Sequence, residues 1–261
     1  MHPVLFEIDN VVVHTYGIMA AIGFLSAFIL VKYLGIREGF EEKLLSNLAL
    51  LILVSAIIGA RLFYVATEHE FYFKHPAEIL KFWKGGLVFY GGFIAAFISA
   101  FIFLKRKSMS VTLTADVFAP AIALGHAFGR IGCFSAGCCY GKPSSGFFSV
   151  IFHDPYSLAP VNIPIYPTQL YSSFVNFVIF LILVYFLKKR KYPGEVFSLY
   201  LILYGTARFL IEFLRGDDRG GFFFYNTLSI AQIICIVSIL AGFSLLYFIR
   251  SNRGYDRKQH A

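Results

Sequence analysis

The chain has 261 residues, 58% of them apolar and only 15% charged, a balance far from that of a water-soluble domain. At about 20 apolar residues per membrane-crossing helix, that content fills roughly six to eight spans and excludes a large separate soluble domain. A net charge of +8 would suit a nucleic-acid binder, but the placement of the basic residues removes that reading.

The first apolar run covers residues 15–33. It is preceded by 14 residues without Lys or Arg and is long for a signal peptide, so it is expected to stay as a span. Six further runs follow at residues 44–65, 88–104, 117–134, 167–187, 195–214 and 227–249. None alternates with the period of a lipid-facing strand, and a backbone in lipid must satisfy its own polar groups, so all seven read as helices. The expected fold is all-α: one integral membrane domain over residues 1–261 with about seven transmembrane helices. Between the runs, residues 68–86 mix Phe71, Tyr72, Phe73, Phe82 and Trp83 with Lys74, Lys81 and Lys84, as a short helix at headgroup depth would. Residues 135–166 carry four prolines with several Gly and Ser and are expected to be irregular, a candidate lid or substrate loop. Residues 216–225 form a short acidic and glycine-containing connection. There is no internal repeat.

Most of the 23 basic residues fall on one side of this arrangement: Lys32, Arg37 and Lys43, then Lys105 to Lys107, Lys188 to Lys191, and Arg250, Arg253, Arg257 and Lys258. Lys74, Lys81, Lys84, Lys142 and Arg219 fall on the other. The positive-inside rule then places the C-terminus in the cytoplasm and the N-terminus outside. Topology accounts for the basic excess, and no nucleic acid is required.

Arg61, Arg130, Arg208 and Arg215 remain, in or beside apolar runs. An arginine at the centre of a membrane helix costs about 2.5–3.5 kcal/mol on insertion scales, so each needs a reason. His126 and Arg130 share a helix face, with Gly125, Gly129 and Gly132 around them allowing close approach of a neighbour or ligand. Tyr204, Arg208, Glu212 and Arg215 form one polar stripe on the sixth run. In one reading Arg208 simply pairs with Glu212, while Arg130 and Arg61 reach to the interface. In the other the arginines form an anion site: guanidinium stays charged and matches phosphate with a planar fork, which suits a phospholipid headgroup. A proton-coupled transporter would place acids deep in several spans, and only Glu212 fits that.

The residues that carry a resemblance are His14-Thr15-Tyr16-Gly17, Gly59-Ala60-Arg61, Trp83-Lys84-Gly85-Gly86 and Gly129-Arg130-Ile131-Gly132 followed by Phe134. They continue with Pro167-Thr168-Gln169-Leu170-Tyr171 and Tyr204-Gly205-Thr206-Ala207-Arg208-Phe209, then Glu212, Phe213 and Arg215. In order and spacing the chain resembles the bacterial prolipoprotein diacylglyceryl transferases almost end to end. The resemblance implies a multi-pass enzyme of the inner membrane with its site towards the outer side. Its donor would be phosphatidylglycerol, its acceptor the lipobox cysteine of a prolipoprotein, and it would need no cofactor. It also implies that Arg130 and Arg208 bind the phosphate, that Tyr204 bonds the headgroup, and that His14, Gln169, Arg61, Glu212 and Arg215 belong to the cavity or its edge.

The chain departs from the family in two places. Where the family usually reads Asn-Phe-Ile-Asn-Gly-Glu, this chain has Cys133-Phe134-Ser135-Ala136-Gly137-Cys138. Where the family has a histidine in a Phe-His-Gly-Gly segment, this chain has Tyr90. A phenol with an unperturbed pKa of about 10 is a poor base at neutral pH, so Tyr90 needs help or replacement. His126 is the candidate, since imidazole suits proton transfer and it lies one turn before Arg130. Three of the four cysteines cluster at Cys133, Cys138 and Cys139, while Cys235 is expected in the core. A disulfide or packed thiols is the expectation for the cluster. A reactive thiol remains open, and the spacing, even with His126, is no standard zinc pattern, so no metal is expected. Two competing functions remain at this stage: a related transferase with another acceptor, and a lipid or anion transporter.

Overall fold

The computed structural model describes residues 2–8, 11–81, 85–217, 222–223 and 228–259. Phe82, Trp83 and Lys84, Arg219 with most of the connection after Asp217, and the side chains of Arg253, Arg257 and Lys258 lie outside the described residues. The elements in chain order are β1 (Val4–Ile8), β2 (Val11–His14), α1 (Thr15–Arg37), α2 (Glu42–Thr67), α3 (His69–Lys74) and α4 (Phe89–Arg106). They continue with α5 (Val111–Ala136), β3 (Val150–Ile151), β4 (Pro164–Ile165), α6 (Thr168–Leu187), α7 (Glu195–Glu212), β5 (Phe222–Phe223), β6 (Leu228–Ser229) and α8 (Ile230–Gln259). Among these, α1, α2, α4, α5, α6 and α8 up to Ser251 are long and apolar enough to cross a membrane, six helices in all. The remaining expected span, the sixth in chain order, forms as α7 but carries Glu195, Arg208 and Glu212 within its 18 residues. The expected all-helical membrane architecture is therefore present, with six strongly apolar helices and one polar one.

The chain divides into two compact units, residues 32–114 and the remainder. In the first of these, α2 and α4 meet through small residues. A Cβ on Gly59 would stand 2.6 Å from the Gly91 carbonyl oxygen, and one on Gly92 would stand 2.8 Å from that of Ala56, so the backbones are in direct contact. Close backbone approach of this kind supplies the van der Waals packing that replaces the hydrophobic drive in lipid. Ser99 also donates to Ser55 across the pair at 2.7 Å. The other face of α4 carries Phe89, Phe93, Phe97 and Phe101 in an exposed stacked ladder, as a lipid-facing surface would. Within residues 68–81 the chain forms α3 and a 3₁₀ turn at Pro76–Leu80, in the segment where a short helix is expected.

The larger unit holds the β1–β2 hairpin, α1 as far as Val31, and the chain from Ala115 onward. α1 and α5 approach at Gly23, where a Cβ would lie 3.0 Å from the Gly125 oxygen, and at Gly132, which packs against Tyr16 and Met19. α7 and α8 pack at Gly205 against the Cys235 carbonyl and at Gly242 against that of Ser198. Far from Arg130 along α5, the wholly buried Asp116 carboxylate accepts the backbone N–H of Gly194 at 2.7 Å and of Phe197 at 2.8 Å. It thus caps the free N–H groups at the start of α7 from another helix, where the helix dipole favours negative charge. Arg190 stands 3.5 Å from the same carboxylate, and Glu195 is held by Arg250 at 3.0 Å. The connection expected to be irregular over 135–166 contains the β3–β4 pair and a small core of Phe152, Ala159 and Ile165. Strands of two residues are too short to show as an alternating pattern, which is why its prolines read as loop alone.

Candidate functional site

α5, α6 and α7 border a small, partly open cavity lined by Arg130, Ser172, Val175, Asn176, Tyr204, Ala207, Arg208 and Ile211. Two arginines from different helices thus face one space, with Tyr204 and Arg208 one turn apart on α7. Gly129, just before Arg130, has nothing within 4 Å of where a Cβ would stand, so the backbone there is open. The His126 ring lies on the Tyr204 ring at 5.3 Å between centroids, which puts the imidazole one turn from Arg130 and against the tyrosine of the cavity.

Arg208 pairs with Glu212, and Glu212 also accepts the Ser229 hydroxyl at 2.9 Å. The glutamate thus holds a guanidinium that lines the cavity. Arg215 is buried and forks onto Asp217, Nε to Oδ1 at 2.9 Å and Nη2 to Oδ2 at 2.7 Å. It is committed to a neighbouring acid and does not line the cavity.

Other expected residues lie elsewhere. Gln169 is buried beside the cysteines and donates to the Cys138 carbonyl at 2.9 Å, while Thr168 donates to that of Cys139 at 2.8 Å. His14 ends β2 and is exposed. Arg61 and Tyr90 belong to the unit of residues 32–114. Tyr90 sits 57% exposed in the first turn of α4. Arg61, expected at the substrate's edge, is turned onto backbone carbonyls: Glu78 at 2.6 Å, Ile79 at 2.9 Å, Gly85 at 2.8 Å and Gly86 at 3.3 Å. It clamps the segment after α3, because four carbonyls surrounding one guanidinium leave little of its fork for an anion.

Ser172 and Asn176 were missed by sequence reasoning. Asn176 donates to the Ser172 carbonyl at 2.7 Å, and its own Oδ1 is buried without a partner beside the two arginines. Thr168, Ser172 and Asn176 recur every four residues in an otherwise apolar span, a polar stripe that would have exposed them.

The three clustered cysteines converge after α5, with every sulfur within 4.8 Å of the others, and none forms a disulfide. The packed-thiol alternative is the one present. Cys139 takes the left-handed region at φ 63°, which costs a residue with a side chain about 1–3 kcal/mol. Thiol hydrogen bonds from Cys133 and Cys138, helped by the Arg215 and Arg130 guanidiniums, hold the Cys139 thiol well below its usual range. Cys138, bonded to Cys133 and Cys139, is held up.

A family model described as "Prolipoprotein diacylglyceryl transferase" matches residues 3–248. The chain is 40% identical to the phosphatidylglycerol–prolipoprotein diacylglyceryl transferase of Clostridium tetani, over 93% of this chain and 95% of that one. It is 36% identical to the second such enzyme of Clostridium perfringens over 97% of each chain. It is 31% identical to that of Lysinibacillus sphaericus over 96% of this chain and 93% of the other.

Proposed function

Since the chain belongs to the prolipoprotein diacylglyceryl transferase family, we propose that the cavity between Arg130 and Arg208 holds the phosphate of phosphatidylglycerol during transfer. The chain is a membrane-embedded transferase that moves the diacylglyceryl group of phosphatidylglycerol to a prolipoprotein. The acceptor atom in this reading is the thiol sulfur of the lipobox cysteine. Sulfur attacks the glyceryl carbon, the carbon–oxygen bond to phosphate breaks, and glycerol phosphate leaves with the electron pair. Negative charge grows on the departing phosphate, and two fixed guanidiniums aimed at it stabilise the transition state more than the ground state.

The observation that carries this reading is the pair of arginines from α5 and α7 lining one cavity with Tyr204. Tyr204 supplies a hydroxyl for the headgroup, and Glu212 keeps Arg208 in place. His126, packed on Tyr204, takes the thiol proton. Tyr90 stands at the family's histidine position, in the unit of residues 32–114, and His14 at its N-terminal motif, and both side chains are exposed. Gln169 and Arg215 act by holding the cysteine turn and its neighbours, and Arg61 by holding the segment after α3. The site faces the outer side of the inner membrane, α7 crosses as the sixth of seven spans, the N-terminus is outside and the C-terminus cytoplasmic.

Arg130→Ala and Arg208→Ala test the reading. Each should lower the transfer rate about 10²–10³-fold, the usual loss for one donor aimed at a developing oxyanion. A peptide assay on purified, folded variants reads this directly, and wild-type turnover in either one contradicts the phosphate site.

A further inference from the structure

We propose that Cys133, Cys138 and Cys139 form a binding site for one thiophilic divalent ion of the zinc class. Their sulfurs lie within 4.8 Å of one another, and none is tied up in a disulfide. Around zinc, with bonds of about 2.3 Å to sulfur, tetrahedral neighbours stand about 3.8 Å apart, so small side-chain rotations close the present triangle on an ion. A disulfide would join two of the three and leave the third thiol over, whereas an ion uses all of them.

The backbone is built for that convergence. Adjacent residues in an extended chain point to opposite sides, and Cys139 avoids this by adopting φ 63° directly after Cys138. Gly137, at φ 78°, makes the preceding turn. The buried side chains of Thr168 and Gln169 then hold the carbonyls of Cys139 and Cys138, which fixes both sulfur-bearing residues from α6. The Cys138 thiol reaches back to the Cys133 carbonyl at 3.8 Å, so the chain already closes on itself across the triangle.

The charge balance also fits. Arg130 and Arg215 lie close enough to act on Cys139 and would repel a bare cation. Three thiolates turn a divalent ion into a complex with one net negative charge, for which the guanidiniums are counter-ions. The cysteines are half-buried, which leaves the fourth coordination position open to water. None of the three lines the cavity between Arg130 and Arg208, so the ion holds together the turn that follows α5 and takes no part in the transfer proposed there. It staples this turn through ligation as structural zinc does elsewhere.

The test uses the full chain in detergent, purified without chelators. Elemental analysis should find one zinc-class ion per chain. After stripping, titration with Co²⁺ alone should produce a thiolate-to-metal charge-transfer band that saturates at one ion. Cys133→Ser and Cys138→Ser should lose both signals, and Cys235→Ser should keep both. Folded wild-type protein that retains no ion and develops no band overturns the proposal, as does a disulfide among the three found by mass spectrometry after thiol blocking. Should a serine variant fail to fold, the wild-type titration still decides. The readout is metal, so active enzyme that retains no ion and develops no Co²⁺ band overturns the ion site and leaves the transferase reading standing.

Discussion

Arginine in a membrane helix is costly enough to demand a partner, and the partners separate the four that sequence singled out. Arg61 is spent on four carbonyls and Arg215 on Asp217, while Arg130 and Arg208 line a cavity. Burial cost alone flags all four equally, because it depends on the side chain and its depth. What each guanidinium meets depends on segments far away in sequence, such as the turn at Gly85 beside Arg61. His126 was legible from its spacing to Arg130, but its contact with Tyr204 needed the packing of α5 on α7. If His126 takes the thiol proton, His126→Gln should slow transfer about 10²–10⁴-fold, the range for general-base catalysis. Binding of phosphatidylglycerol, measured separately, should be nearly unchanged. A variant that keeps wild-type turnover returns the base to Tyr90 or another group, and Tyr90→Phe run beside it tells these apart.

Element boundaries were legible where apolar runs were long and were missed where the structure is short or polar. α1, α2, α4, α5, α6 and α8 form as expected because twenty apolar residues in lipid have one inexpensive backbone conformation. The β3–β4 pair and the cap that Asp116 supplies to α7 left no periodic trace, since each depends on a long-range contact. Asp116→Leu leaves the N–H groups of Gly194 and Phe197 buried without an acceptor, at about 1–3 kcal/mol for each unsatisfied group. A clear drop in the thermal midpoint is expected, with Asp116→Asn closer to wild type because one amide oxygen remains. In the unit of residues 32–114, Gly91→Leu drives a side chain into Phe63 and the Gly59 carbonyl. Overpacking of this kind costs about 1–3 kcal/mol or more, so that variant should denature earlier in detergent than wild type.

For the whole molecule, composition established a membrane protein, and the asymmetry of basic residues set the expected orientation. Because six helices pass on apolarity and α7 carries three charged residues, the span count rests on α7 crossing. Its stripe of Tyr204, Arg208 and Glu212 is inward-facing chemistry, and a helix can cross while hiding such a stripe in the bundle. Membrane-impermeant labelling of single cysteines placed near Lys142 and near Lys189 should modify the first and spare the second in intact cells. The reverse pattern, or labelling of both, contradicts seven spans with the C-terminus inside.

The central claim is that this cavity transfers diacylglyceryl from phosphatidylglycerol to a cysteine thiol with Arg130 and Arg208 on the phosphate. Purified protein in vesicles with phosphatidylglycerol as the sole donor, given a lipobox peptide, should yield the diacylglyceryl thioether by mass spectrometry. The product should be absent with a serine-substituted peptide and with phosphatidylethanolamine vesicles. Folded protein that makes no thioether from this pair, or makes it equally well after Arg208→Ala, would contradict the account.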